Sequence, residues 1–261
     1  MLSINNIGKN GRLGNQLFQL SSLIGIANNL NYDWVVPPEY HANDPLSNIY
    51  QCFDMDIDIT KKILSSPTQT FEERHYHFDE ELYENCLDNT DLNGYFQSYK
   101  YFQEYRQQIL ELFKFKDHII NQGNEILLNF NSQKNVAIHV RRTDYTQLAS
   151  WHTNLGPEYY AEALKHFPEH KKIVISDDIG WCMSQEIFND AYFVKTGNPY
   201  VDLYIMTMCD NNIIANSSFS WWGAWLNKKN DKIVVAPSNW FGPSNSHNNI
   251  KDLIPEEWIK I

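Results

Sequence analysis

The chain has 261 residues, 43% of them hydrophobic, and a formal net charge of −11. That length suits one large domain or two modest ones, and the composition supplies a full core and excludes a disordered chain. The negative balance argues against a nucleic-acid backbone as partner, because that affinity comes from basic patches, but it leaves room for a local basic pocket around a nucleotide.

Cys52, Cys86, Cys182 and Cys209 form no C-x-x-C pair, so neither a zinc site nor a thioredoxin motif is indicated, and reduced thiols are the simplest account. The N-terminus is too short and polar for a signal peptide, and no apolar run approaches a membrane span. A soluble, cytoplasmic chain is expected, able to work at the inner face of the membrane on a membrane-attached substrate.

Residues 2–7 read as a first short strand. A glycine-rich turn, Gly8-Lys9-Asn10-Gly11-Arg12-Leu13-Gly14, follows. Residues 15–30 then place Leu17, Leu20, Leu23, Ile24 and Ala27 at helical spacing. Strand, glycine loop and helix can offer backbone N–H groups to an anion, or can be an ordinary tight turn. Residues 33–36 read as the next strand, ended by Pro37-Pro38. Residues 39–95 are less regular. Within them Asp54-Met55-Asp56-Ile57-Asp58 reads as a strand with a solvated acidic face, since no glycine or distal glutamate completes a calcium loop. Helices are predicted over 101–113 and 117–130, and the polar turn at 131–135 is the expected junction between halves spanning 1–132 and 133–261.

The second half alternates more cleanly. Strands are predicted at 136–140, 172–176, 191–194, 212–215 and 233–236, with helices at 157–167, 179–188, 200–209 and 218–226. Such alternation implies a parallel sheet with helices on both faces. Three strands end in polar groups: Arg141-Arg142-Thr143-Asp144, Ser176-Asp177-Asp178 and Asn216-Ser217-Ser218. A parallel sheet points these at one rim, where open α/β sheets bind ligands. Arg141, with Arg142 beside it, can hold a phosphate in a bidentate fork, or can simply pair with Asp144. Asp177 and Asp178 can accept from a purine base or cap a helix. Ser217 and Ser218 can donate to a phosphate at a helix start or act as caps. Together they suit a nucleotide diphosphate. Trp221, Trp222 and Trp225, at helical spacing, read as core rather than a sugar platform.

Four strings resemble, in order, the conserved blocks of glycosyltransferase family 11, the α-1,2-fucosyltransferases, bacterial members included. They are G-R-L-G-N-Q-L-F-Q (11–19), H-V-R-R-T-D (139–144), I-S-D-D-I-G-W-C (175–182) and N-S-S-F-S-W-W-G-A-W-L (216–226). The first two are shared with the wider α-1,2, α-1,6 and protein O-fucosyltransferase group. The resemblance implies a GT-B-type α/β fold, two Rossmann-like halves with a cleft between them, the first on the acceptor side and the second binding the GDP-sugar. It implies GDP-fucose as donor, a galactose-containing glycan as acceptor, inversion at the anomeric carbon and no metal cofactor. Carried onto this chain, Arg141 would hold the diphosphate with Arg142 as neighbour, and Asp177 and Asp178 would lie near guanine or ribose. Asn216, Ser217, Ser218 and Phe219 would line phosphates and fucose, and Gly14, Asn15 and Gln16 would reach the donor from the first half. Thr143 and Arg12 stand where family members commonly have glycine, and H-V-R-R-T-D as it stands is closer to the α-1,6 enzymes.

No D-x-D motif stands at a strand end, so Arg141, the two serine hydroxyls and the helix start at Ser218 would stabilise charge on the leaving GDP. Asp144 and His139 are the candidate bases. Asp144 can instead orient Arg141, and His139 can be a buried, hydrogen-bonded side chain. A different GT-B donor and a non-catalytic nucleotide- or glycan-binding protein remain as alternatives.

Overall fold

The computed structural model describes residues 1–38, 48–55, 60–130 and 133–261. Asp56, Ile57 and Asp58 of the acidic stretch lie outside these, as do Asn131 and Ser132 of the expected junction. The described chain forms two compact units: Met1–Lys116 with Asn248–Pro255, and Asp117–His247 with Glu256–Ile261. The units divide after Lys116, ahead of the turn at 131–135.

Unit one contains β1 (Leu2–Ser3), α1 (Leu13–Asn29), β2 (Trp34–Val35), α2 (Ile49–Cys52), β3 (Gln69–Glu72), α3 (Glu80–Asn85), β4 (Thr90–Asn93) and α4 (Arg106–Leu112). Its strands are all parallel, in the order β2-β1-β4-β3. Strands β3 and β4 carry no apolar alternation and were not foreseen. Strand β4 reads Thr-Asp-Leu-Asn yet lies at the sheet centre. It can do so because Asp91 Oδ1 accepts from Ser3 Oγ and from the Asn5 N–H, each at 2.8 Å, so the buried carboxylate is satisfied. The helix expected over 101–113 is shorter than its apolar spacing suggests. Tyr101 is drawn into the core, 2% exposed among the rings of Phe78, Tyr83 and Phe96, and 3₁₀ turns replace the first helical turns.

Unit two contains α5 (Asp117–Leu127), β5 (Asn135–Val140), α6 (Thr143–Gln147), α7 (Pro157–Leu164), β6 (Lys171–Ser176), α8 (Ile179–Met183), β7 (Tyr192–Phe193), α9 (Pro199–Met208), β8 (Asn211–Ile213), α10 (Ser218–Trp225), β9 (Val234–Ala236) and β10 (Ile259–Lys260). Helix α5 belongs here because it closes on α9. Gly123 leaves no room for a Cβ against the Tyr204 ring, and Tyr204 Oη donates to Asn124 at 2.9 Å. The sheet is all parallel, in the order β10-β9-β8-β5-β6-β7. That is the doubly wound order, β5-β6-β7 running one way and β8-β9-β10 the other, and it sets a topological switch point between β5 and β8. Val136, Ile138, Val174, Ile213 and Val235 form the buried face that packs on Tyr160, Phe167 and Phe188. Helix α8 stops at Met183 rather than 188, because Gln185 turns extended and a 3₁₀ turn drops Phe188 into this core. Trp221, Trp222 and Trp225 are buried against one another and Trp258, as core rings. The four cysteines are free and buried. Among the described residues no helix is long and apolar enough to cross a membrane.

Candidate functional site

Register builds the site in unit two. Strands β5 and β6 pair residue for residue from Asn135 with Lys171 to Val140 with Ser176. The next two positions on each strand are therefore neighbours, and their charges match. Arg141 Nη1 lies 3.0 Å from Asp177 Oδ2, and Arg142 Nε lies 3.5 Å from Asp178 Oδ2. On the other side β5 pairs with β8 through Ile138 and Ile213, and the same register sets Arg141 level with Asn216. The arginines and Asn216 thus flank the switch point, the place where open α/β sheets bind ligands.

Arg141 is held from several sides. Its Nη2 donates to Asp144 Oδ2 at 2.7 Å, and its guanidinium lies 5.4 Å from the Tyr145 ring centre. A guanidinium has five N–H donors, so these ion pairs leave capacity for a ligand. Asp177 knits the two loops together, accepting from the Arg142 N–H at 2.9 Å and from Thr143 Oγ1 at 2.6 Å. Asp178 caps α8, its Oδ1 accepting from the Trp181 N–H at 3.0 Å. Both carboxylates therefore serve the arginines and the helix start. Arg142 stacks over Trp181 at 4.0 Å, which turns its charge along the rim.

Asn216 is 1% exposed, and its Nδ2 donates to the carbonyls of Thr153 at 2.9 Å and Trp240 at 2.8 Å. Its Oδ1 is enclosed without a protein partner among the described residues. Ser217 is the N-cap of α10, but its side chain makes no capping bond, so the capping reading does not describe it. Ser218 opens that helix. The start of α10, with its positive dipole end, stands beside Arg141 at the same rim.

His139 is buried and packs on Phe219, ring centres 5.4 Å apart. Burial pushes its pKa down to about 3; Asp177 raises it, while Arg141 lowers it further. The imidazole is therefore neutral at working pH and weakly basic, and its Nδ1 has no hydrogen-bond partner among the described residues.

Two residues outside those motifs, Tyr145 and His152, complete the site. Tyr145 donates from Oη to the Asn216 carbonyl at 3.2 Å, so one side chain ties the loop after β5 to the loop after β8. His152 stacks on that ring at 4.0 Å, and burial lowers its pKa. The only available signal was the i, i+4 spacing of Arg141 and Tyr145.

In unit one, Gly14, Asn15 and Gln16 lie in the first turn of α1. Gln16 Oε1 accepts from the Ile49 N–H at 3.2 Å, and Asn15 Oδ1 accepts from Gln97 Nε2 at 2.8 Å. Gln16 is thus a buried brace, while Asn15 stays partly exposed.

The chain matches the profile of Glycosyl transferase family 11 over residues 2–261. It is similar to an alpha-1,2-colitosyltransferase of Escherichia coli, 30% identical over 76% of this chain and 71% of the relative. It is similar also to galactoside 2-alpha-L-fucosyltransferase SEC1 of Bos taurus, 27% identical over 84% and 63%. The chain spans 60% to 71% of the length of such curated relatives. Among solved structures, the fucosyltransferase NodZ from Bradyrhizobium superposes with a TM-score of 0.57 at 16% identity, covering 85% of this chain and 91% of NodZ, which has also been crystallised and soaked with GDP-fucose. Two parallel-sheet units with that likeness make the fold GT-B-type α/β. By the match along its whole length, this chain belongs to glycosyltransferase family 11.

Proposed function

We propose that the chain transfers L-fucose from GDP-fucose to a hydroxyl of a galactose-containing glycan, with inversion, in α-1,2 linkage and without a metal cofactor, in glycan or surface-polysaccharide synthesis. The observation that carries this reading is Arg141 at the switch point of a doubly wound sheet, beside the start of α10. As the acceptor oxygen bonds to the anomeric carbon, the bond to the β-phosphate oxygen breaks, its electron pair leaves with GDP, and the acceptor hydroxyl gives up its proton to water. Arg141, the α10 N–H groups and the Ser217 and Ser218 hydroxyls meet that growing charge. Arg142, Asp177, Asp178, Asn216 and Phe219 shape the donor pocket of unit two. Asp144 orients Arg141 through its 2.7 Å bond, and the low basicity of His139 favours a packing role over proton removal. Transfer then leans on leaving-group stabilisation more than on a strong base.

Names of relatives support the linkage and donor: a galactoside 2-alpha-L-fucosyltransferase, an alpha-1,2-colitosyltransferase and a GDP-fucose complex. The colitosyl relative favours one second reading, a colitosyl donor in the same pocket. Calorimetric titration of GDP, UDP and ADP in EDTA tests the nucleotide. Turnover of GDP-fucose against its colitosyl counterpart, with linkage analysis of the product, tests the sugar. GDP binding no better than UDP, or only with added metal, would end the proposal.

A further inference from the structure

Unit two carries a second surface at the carboxyl rim of its sheet, formed by the segment that leaves α6 toward α7 and the loop that follows β9. Residues 146–157 and 237–247 contain no Asp, Glu, Lys or Arg, in a chain where 20% of residues are charged. Serine, threonine, asparagine and glutamine stand there instead, among aromatic rings. The two loops are joined along their length. His152 and Phe241 pair as an antiparallel bridge, and Thr153 Oγ1 donates to the Phe241 carbonyl at 2.9 Å. The Gly242 N–H donates to the Trp151 carbonyl at 3.0 Å, and the Ser244 N–H to the Ser150 carbonyl at 2.7 Å. Gly242 approaches so closely that a Cβ would lie 2.6 Å from the Ala149 carbonyl oxygen and 2.7 Å from that of Ser150. Asn216 ties down both loops, since its Nδ2 reaches the carbonyls of Thr153 and Trp240.

On this brace stands Trp151. It is 52% exposed, the one exposed tryptophan among the described residues, and Leu148, three residues before it, is 44% exposed. Its neighbour His152 stacks on Tyr145, whose ring lies beside the Arg141 guanidinium, so the indole follows directly on the stack of the donor site. A loop fixed on a rigid scaffold is the usual carrier of a binding side chain. The chemistry of the surface selects its occupant. An anionic membrane is held by Lys and Arg, and these loops have none. Arginine is enriched in protein interfaces and is absent here as well. A neutral sugar fits: its C–H face lies on an aromatic ring, and its hydroxyls exchange hydrogen bonds with side-chain amides and hydroxyls.

We propose that the Trp151 loop is a glycan platform: the indole stacks on a neutral sugar ring of the acceptor, and the amides and hydroxyls around it meet that sugar's hydroxyls. The inference rests on the fucosyl-transfer reading for which glycan binds, a galactose-containing one, and it gives unit two an acceptor contact of its own. The test is an array of galactose-containing oligosaccharides, with galactose-free ones as controls, probed in the presence of GDP with the parent, Trp151→Ala and Trp151→Phe. GDP calorimetry runs alongside. The parent should retain galactosides, and Trp151→Ala should lose about tenfold in apparent affinity, the scale of an interfacial tryptophan. Trp151→Phe keeps a ring and should lose less, while GDP affinity stays within about twofold for both. Gly242→Ala, whose Cβ forces the loops apart, should weaken galactoside retention without altering the indole. Equal retention by the parent and Trp151→Ala, or no glycan retained by the parent, overturns the platform. Equal retention of galactose-free glycans overturns the galactose assignment. Binding to phosphatidylglycerol vesicles, or self-association in sedimentation, that is lost in Trp151→Ala while glycan retention is unchanged overturns it in favour of a membrane or a second copy. A parent that holds galactosides through Trp151 but neither binds GDP nor consumes GDP-fucose overturns the transferase reading and leaves the platform standing.

Discussion

Arg141→Ala removes one guanidinium from the rim of unit two and has two separable consequences. The first is on the ligand. A hydrogen bond to a charged group contributes ~1.5–3 kcal/mol, so a two-pronged contact to a diphosphate contributes ~3–6 kcal/mol. That is a loss of roughly 10²- to 10⁴-fold in donor binding and turnover. The second is on the fold. Asp144 and Asp177 lose their shared cation, but Arg141 is 18% exposed and its partners 36% and 21%, so solvent screens the pairs. The cost in stability lies nearer ~1 kcal/mol than the several expected of a deeply buried pair. Activity should therefore fall far more than stability. Calorimetry with GDP in EDTA, initial rates of GDP-fucose consumption and thermal unfolding separate the two. Arg141→Lys keeps the charge but not the fork and should recover only a small part of the binding. An alanine variant that binds GDP and turns over within about threefold of the parent would refute the phosphate role, since even one charge-assisted bond exceeds that.

Asn216→Asp places a carboxylate against the carbonyls of Thr153 and Trp240 and should destabilise by about 3 kcal/mol or more, measured by urea unfolding; an unchanged midpoint contradicts the tether. Tyr145→Phe deletes the bond to the Asn216 carbonyl and should cost about 1 kcal/mol, whereas Tyr145→Ala also removes the ring beside Arg141 and should weaken GDP binding several-fold. Equal GDP affinities for the two would remove the ring from the site. For His139 the folded-state pKa lies below the unfolded one, about 3 against 6.5. Its neutral burial therefore stabilises fully above pH 6.5 and loses up to about 1.4 kcal/mol per unit as pH falls toward 3. His139→Phe should flatten unfolding free energy between pH 6.5 and 5 relative to the parent; parallel slopes would show that the histidine is charged in the fold.

Much of unit two could be read directly from the chain. A buried parallel strand is a short apolar run, and Val136–Val140 or Ile173–Ile175 ending at once in charge reveals both the strand and its rim. The blocks around Arg141, Asp177 and Asn216 were legible for the same local reason. Unit one resisted that reading. Its central strand β4 is polar, and only the distant Ser3 Oγ and Asn5 N–H make it a strand residue's place for Asp91. Residues 248–255 return to unit one with no sequence mark. Tyr145 and Gln97 lie outside that reading because each acts through a partner far along the chain, the Asn216 carbonyl and Asn15, and His152 because its partner is the Tyr145 ring.

By itself the sequence determined the family, the alternation of strands and helices, and which residue types stand at the strand ends, because backbone geometry imposes its periods over a few neighbouring residues. Only the tertiary structure decided that Arg141 faces Asp177 and stands level with Asn216, and that Gln97 grips Asn15. Those pairings follow from strand order and hydrogen-bond register across the sheet, which depend on contacts between segments far apart in the chain.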